Sequence, residues 1–346
     1  MSNKLIQAQV RKLKKISPAV ILASITVLSA LFNFSCEQSH NGLPGRDITA
    51  MTNTESEAYQ IIGQALADSD PLVRINAIEV VATTRQLNFM PRVQQLLQDA
   101  SMPVRFLATL AVGDMKYAPA RNLINRSLKD PDNNVIIAAS YAMTRLGYPG
   151  YNEVLQQSIT DTNQTVRANA AMLLGKSGDR SSLKLLYWIM QDVNSDDRAV
   201  YQAAEAIAML GDESIYPKLW AMLLSAYADV RVVGIKAMGA LGTKQAEDAL
   251  ITMLDDDVLE VRLAAAEQLG KLNNRSGESV VLDVFRRKLA NQTDRQSRER
   301  IFLMTALAIG QIGTPNLTRH LPDLMENESK FVRLAAAKAV FQSSKR

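Results

Sequence analysis

Few residues in this chain are suited to chemistry. One cysteine, Cys36, and two histidines, His40 and His320, stand among 346 residues. Two histidines so far apart are too few for a metal cluster and poorly placed for a Ser-His-Asp arrangement, so no metal, cofactor or catalytic base is expected. No glycine-rich phosphate loop follows a strand. The run Asp255-Asp256-Asp257 could suggest calcium, but it falls in a turn between helical segments, where capping and solvation account for it. What recurs instead is an arginine directly after a valine, at Arg74, Arg105, Arg167, Arg231, Arg262 and Arg333. Such a row could bind anions. Its constant phase better suits a structural ladder to the turn aspartates Asp68, Asp99, Asp130, Asp161 and Asp256, each five residues before its valine.

The elements that hold this row repeat. The anchoring valines are Val73, Val104, Val166, Val230, Val261 and Val332, with Val135, Ala199 and Ile301 filling the gaps. Successive steps are 31, 31, 31, 33, 31, 31, 40 and 31 residues, which is the signature of a repeat architecture of nine units. In each unit a helix-forming segment such as 181–192 precedes a turn, and a second helix begins near the anchor. Gly147, Gly178, Gly211, Gly242 and Gly313, twelve residues after their anchors, are expected to end that second helix in a left-handed conformation. The turn aspartates are expected to cap it. Composition agrees: 47% of residues are hydrophobic but only 5% aromatic, so the core is built from Ala, Leu, Val, Ile and Met, and alternating strand runs are nearly absent.

The pattern D-x4-V-R-x2-A-A-x2-L-G, with a further glycine three residues on, closely resembles the short HEAT-like repeats first associated with bilin lyases and widespread in bacterial scaffold proteins. The resemblance covers about 57–346 and implies an all-α, HEAT-like α-solenoid: a superhelical stack of about nine antiparallel helix pairs. Ile136, Val200 and Phe302 depart from it in place of arginine, and nine extra residues precede Ile301. Stacked at about 9–10 Å, nine pairs would give a rod or arc of roughly 80–90 Å.

Ahead of the repeats the chain reads differently. Lys4, Arg11, Lys12, Lys14 and Lys15 precede an uncharged apolar stretch, 18–35, that stops at Cys36. This is a signal-sequence layout on the border of a short membrane helix. Cys36 resembles the lipid-modified cysteine of bacterial lipoproteins, with Ser35 suited to that motif and Phe34 and Asn33 departing from it. A lipidated Cys36, an uncleaved signal anchor and an incidental thiol all stay open. The expected organisation is 1–35 as signal or anchoring segment, 36–56 as flexible tether and 57–346 as solenoid. Removing the five leader cations from 39 basic residues leaves 34 against 35 acidic ones, which excludes the basic footprint of a nucleic-acid binder.

The functional expectation is a non-catalytic scaffold that binds a protein at the cell envelope, facing the periplasm or exterior. The alternative is a lyase-like enzyme or ligand-binding protein acting on a bilin or similar small molecule. Positions two and six after the anchor form an apolar stripe in repeats two to five, including Phe106, Leu110, Ile137, Tyr141, Met172 and Tyr201. If they face outward, these residues bind the partner. The last helix, 330–346, carries Phe341 among more apolar residues than one buried stripe needs, which points to a contact there, including end-to-end self-association.

Overall fold

The computed structural model describes residues 53–345. The leader, Cys36, His40 and most of the tether lie outside the described residues. Among those described there are helices and turns and no strand. The first repeat pairs α1 (Asn53–Ala65) with α2 (Pro71–Thr84), the second α3 (Met90–Gln95) with α4 (Met102–Asp114), and the third α5 (Arg121–Ser127) with α6 (Asn133–Arg145). There follow α7 (Asn152–Ser158) and α8 (Gln164–Ser177), α9 (Leu183–Gln191) and α10 (Asp197–Met209), and α11 (Tyr216–Leu223) and α12 (Ala228–Leu241). The seventh repeat is α13 (Lys244–Thr252) with α14 (Leu259–Lys271), and the eighth is α15 (Glu278–Arg286) with α16 (Arg295–Ile312). The ninth splits its first helix into α17 (Pro315–Thr318) and α18 (Leu321–Met325) before α19 (Lys330–Ser343). Because α1 starts at Asn53, residues 53–56 belong to the first helix rather than to the tether, a correction of four residues. The insertion before Ile301 forms a short 3-10 turn, Leu289–Gln292, and extra length at the start of α16.

The periodic residues explain the units. Except in the eighth repeat, each second helix begins three residues after its turn aspartate position, where Asp70, Asp132 and Asn163 accept N–H bonds from residues two further on. Twelve residues after the anchor the backbone turns left-handed in eight of nine repeats: at Gly147, Gly178, Gly211, Gly242 and Gly313, and also at Arg85, Lys116 and Asn273. The termination is thus a demand of the packing, met even by residues that adopt that conformation at a cost. Glycine nine residues after the anchor serves a different end. A Cβ on Gly175 would stand 2.8 Å from the Ala206 backbone in the next second helix, so glycine sets how closely α8 and α10 approach.

The second helices pack in sequence, α2 on α4 and so on through α16 on α19. Then α19 packs on α1 and α2. The array is closed rather than open-ended, which corrects the expected rod or arc. Three lysines join the ends: Lys330 Nζ lies 2.7 Å from Asp68 Oδ2, Lys338 Nζ 2.7 Å from Glu79 Oε1, and Lys345 Nζ donates to the Thr84 carbonyl at 3.1 Å. Val332, Leu334, Val340 and Phe341 are all buried. The surplus of apolar residues on the last helix therefore meets the first repeat of the same chain, and the argument it gave for a contact with another molecule falls away.

Candidate functional site

Three regions of the molecule present side chains that could carry function: the edge formed by the turns within repeats, the interior faces of the second helices, and the exposed apolar surface.

On the turn edge, the arginine of one repeat reaches the aspartate of the next. Arg74 donates from Nε and Nη2 to both oxygens of Asp99 at 2.9 and 2.8 Å, and Arg105 does the same to Asp130 at 2.8 and 3.0 Å. Arg231 Nη2 lies 2.8 Å from Asp256 Oδ1 and 3.0 Å from Asp257 Oδ1, which places two carboxylates of the 255–257 run on one guanidinium. Arg167 meets Asp192 at 2.6 Å, where the 33-residue step has moved the carboxylate. The same arginines bind carbonyls of their own turn, as Arg105 Nη1 does Asp99 O at 3.0 Å; Arg262 and Arg333 make such carbonyl contacts too. Burial pushes the Asp130 carboxyl up, but the Arg105 bonds and the Asp132 N–H outweigh it and hold it below its ordinary value.

The aspartates do not cap the second helix itself, contrary to expectation. Asp68, Asp99, Asp130, Asp161 and Asp256 each accept the N–H two residues on, from Asp70, Ser101, Asp132, Asn163 and Val258. They brace the turn, and the residue that donates the N–H is the helix cap. Where Ile136 replaces arginine, Asp161 takes a bond from Asn133 instead, and Asp68 is met by Lys330. These are structural bonds with every oxygen committed to the fold.

The interior differs in kind. Six residues after the anchors stand Glu79, Leu110, Tyr141, Met172, Glu205, Lys236, Glu267, Leu307 and Lys338. Phe106, Leu110, Ile137, Tyr141, Met172 and Phe341 are buried and Tyr201 is half-buried, so the stripe read as an exposed partner surface is not one. Closure explains the error: it turns the second helices inward and brings their faces together. The Tyr141 hydroxyl donates to Asp114 Oδ1 at 2.8 Å, and Lys176 Nζ lies 3.1 Å from the same oxygen. Burial pushes Tyr201 up to about 12, with Asp197 adding to it.

The charged members of this face come from repeats far apart in sequence, yet they sense one another. Burial raises the Glu79 carboxyl against the pull of Lys338, while Glu267 adds to the rise and Lys236 opposes it. Burial lowers Lys236 against Glu267, Glu205 and Glu79. Repeats one, five, six, seven and nine thus contribute charges of alternating sign to this face, Lys236 half-buried and Glu79, Glu205, Glu267 and Lys338 buried. Lys236 and Glu267 stand in repeats six and seven, beyond the apolar stripe of repeats two to five. The available signal was the opposite charge of Glu79 in the first repeat and Lys338 in the last.

Among the described residues no group of three His, Cys, Asp or Glu side chains is placed to hold a metal ion. The remaining histidine, His320, stacks on Phe285 at 3.9 Å between ring centres, and burial lowers its pKa. No described helix is long and apolar enough to cross a membrane.

Exposed large apolar residues concentrate on the turn edge of repeats five and six. Val193 is 88% exposed and Leu224 69%, and both stand six residues before their anchors. Tyr227 and Trp188 flank them, and the Arg167 guanidinium lies 5.7 Å from the centre of the Trp188 ring. Between these repeats the ladder has no rung, because Val200 replaces the arginine and Ser225 the aspartate.

Comparison with known proteins bears on the fold. Human deoxyhypusine hydroxylase is 19% identical, with a TM-score of 0.36 over 85% of this chain and 98% of that one. A chain of the CpcE–CpcF complex of phycocyanin lyase from Nostoc sp. PCC7120 is 17% identical, with a TM-score of 0.41 over 78% and 100%. Kap121p is 15% identical, with a TM-score of 0.34 over 96% of this chain and 42% of that one. Among curated proteins none matches the sequence. The model for HEAT repeats matches residues 59–144, 151–233 and 217–304, more than half of the chain, and the protein belongs to the HEAT-repeat family.

Proposed function

We propose that the protein is a non-catalytic, protein-binding scaffold of the bacterial cell envelope, held by an N-terminal lipid or signal anchor and facing the periplasm or exterior. The observation that carries this reading is the exposed apolar group Trp188, Val193, Leu224 and Tyr227 on neighbouring repeats of a closed array. Solvent-exposed Val and Leu side chains at this density mark contact surfaces, and aromatic neighbours supply anchors. The leader supports the location: five cations and no acid precede the apolar stretch that ends at Cys36. A photocrosslinking residue at position 224 of the full chain, expressed in a bacterial envelope, tests the reading. A discrete protein adduct in the membrane fraction is expected, with Cys36→Ser releasing the protein or blocking its processing. A chain that fractionates away from membranes, or that yields no adduct at 224 while equivalent exposed sites do, contradicts it.

One observation favours the alternative of a small-molecule or lyase-like role. Buried carboxyls with raised pKa beside lysines with lowered pKa are the kind of grouping that active sites employ, and Glu205 and Lys236 form such a pair. Substituting Glu205 with Gln separates the two readings, because the scaffold keeps its crosslinked partner and a lyase-like site loses its ligand.

A further inference from the structure

We infer that the apolar edge of repeats five and six receives a protein segment whose apolar side chains are flanked by lysine or arginine; this rests on the scaffold reading and adds the partner's chemistry. The turns 192–197, 224–229 and 255–257 lie side by side on this edge and hold seven aspartates with no lysine or arginine among them. Arg167 reaches Asp192 and Arg231 reaches Asp256, which leaves Asp196, Asp197, Asp229 and Asp255 around the apolar residues, with Asp257 turned 88% to solvent beside Arg231. Val193 follows the ladder carboxylate Asp192 and Leu224 precedes Ser225 at the corresponding place, so the turns of two consecutive repeats each present one exposed apolar anchor.

The sign of the rim selects the partner. Anionic lipid surfaces and nucleic acids carry the same charge as this edge and are repelled by it. A segment with cations beside its apolar anchors gains steering and register from the aspartates while the apolar residues supply the burial.

The test uses the full chain in phosphatidylcholine nanodiscs, with empty nanodiscs as blank. The probe is a fluorescein-labelled 15-residue helical peptide with leucines along one face and lysines beside them, and its glutamate-for-lysine counterpart is the control. Anisotropy should show the lysine peptide bound and the glutamate peptide unbound. V193S/L224S should weaken binding at least tenfold without lowering the unfolding temperature, since both side chains are exposed. D196N/D197N/D229N/D255N should flatten the dependence on salt. Equal binding of both peptides, or lysine-peptide binding indifferent to V193S/L224S, overturns the inference. A position-224 adduct combined with failure of the lysine peptide sinks the partner's charge and leaves the scaffold standing.

Discussion

The interface between repeats two and three and the seam between repeats nine and one do the same job with different chemistry. The former is joined on the turn edge by a bidentate Arg105–Asp130 pair that recurs in phase along the chain. The seam borrows the first aspartate of the series, Asp68, but supplies Lys330 where the ladder would supply Arg333. It then adds a second ion pair, Lys338–Glu79, at 1% and 5% side-chain exposure. A repeated interface can be copied; a closing one must be written for its two partners alone. The difference predicts where the array is strong for reasons of sequence repetition and where it depends on a single pair.

The largest effect is expected at the seam. Removing one partner of a buried pair leaves an uncompensated charge, so K338A or E79A should cost about 3–5 kcal/mol in urea unfolding. An apolar pair of similar volume, K338M/E79L, should recover most of that loss, since such replacements are often neutral. If K338A costs no more than an exposed lysine substitution does, the seam is not formed in solution.

A rung of the ladder should matter less. R105A removes charge-assisted bonds to Asp130 in a half-buried setting and should cost about 2 kcal/mol, with R74A similar. Thermal unfolding of the two variants checks this, and a cost at R105A equal to that at K338A would erase the distinction between the two interfaces.

The buried charges of the interior face and the ladder of the turn edge should also answer pH with opposite sign. Burial raises Glu205, opposed by Lys236 and Lys271, so the folded state keeps a proton that the unfolded chain has released near 4.5. Stability at that site falls as pH rises above the unfolded value of 4.5, and E205Q should gain on the native protein over that rise. Asp130 is shifted down from 3.8, so its contribution is present above that value and lost as pH falls through the folded one. D130N should therefore be most harmful near neutral pH and least harmful in acid. Urea midpoints across pH 3–7 for both variants decide it, and parallel profiles would contradict the account.

The smallest effect concerns helix ends. Lys116 holds φ at 48° where five other repeats place glycine. K116G should stabilise by about 1 kcal/mol, because the left-handed strain is removed.

Those helix ends also show how far the sequence could be read. Repetition made the helix pairs, the anchors and Gly147, Gly178, Gly211, Gly242 and Gly313 legible, since each signal was confirmed by its copies. The left-handed turns at Arg85, Lys116 and Asn273 were not, because those residues have no strong preference and the packing imposes the shape. Asp99 and Asp130 were legible as turn residues, but whether they capped the helix or braced the turn depends on bonds two residues long. Closure was hidden. Lys338 and Glu79 are 259 residues apart; both stand six residues after their anchors, but the period does not say that the ninth repeat meets the first. The facing of Phe106, Tyr141 and Met172 followed from closure and was misread with it. Val193 and Leu224 passed unnoticed because an exposed position on a turn leaves no periodic trace.

Closure is the central claim, and a distance tests it most directly. In a Cys36→Ser background, spin labels at Ser69→Cys and Glu328→Cys stand beside Asp68 and Lys330, whose side chains meet at 2.7 Å. Pulsed dipolar spectroscopy should return a narrow distribution near about 20 Å, the separation of neighbouring packed helices plus two label arms. A distribution centred at roughly 80–90 Å, the span of nine repeats stacked open-ended, would contradict the account.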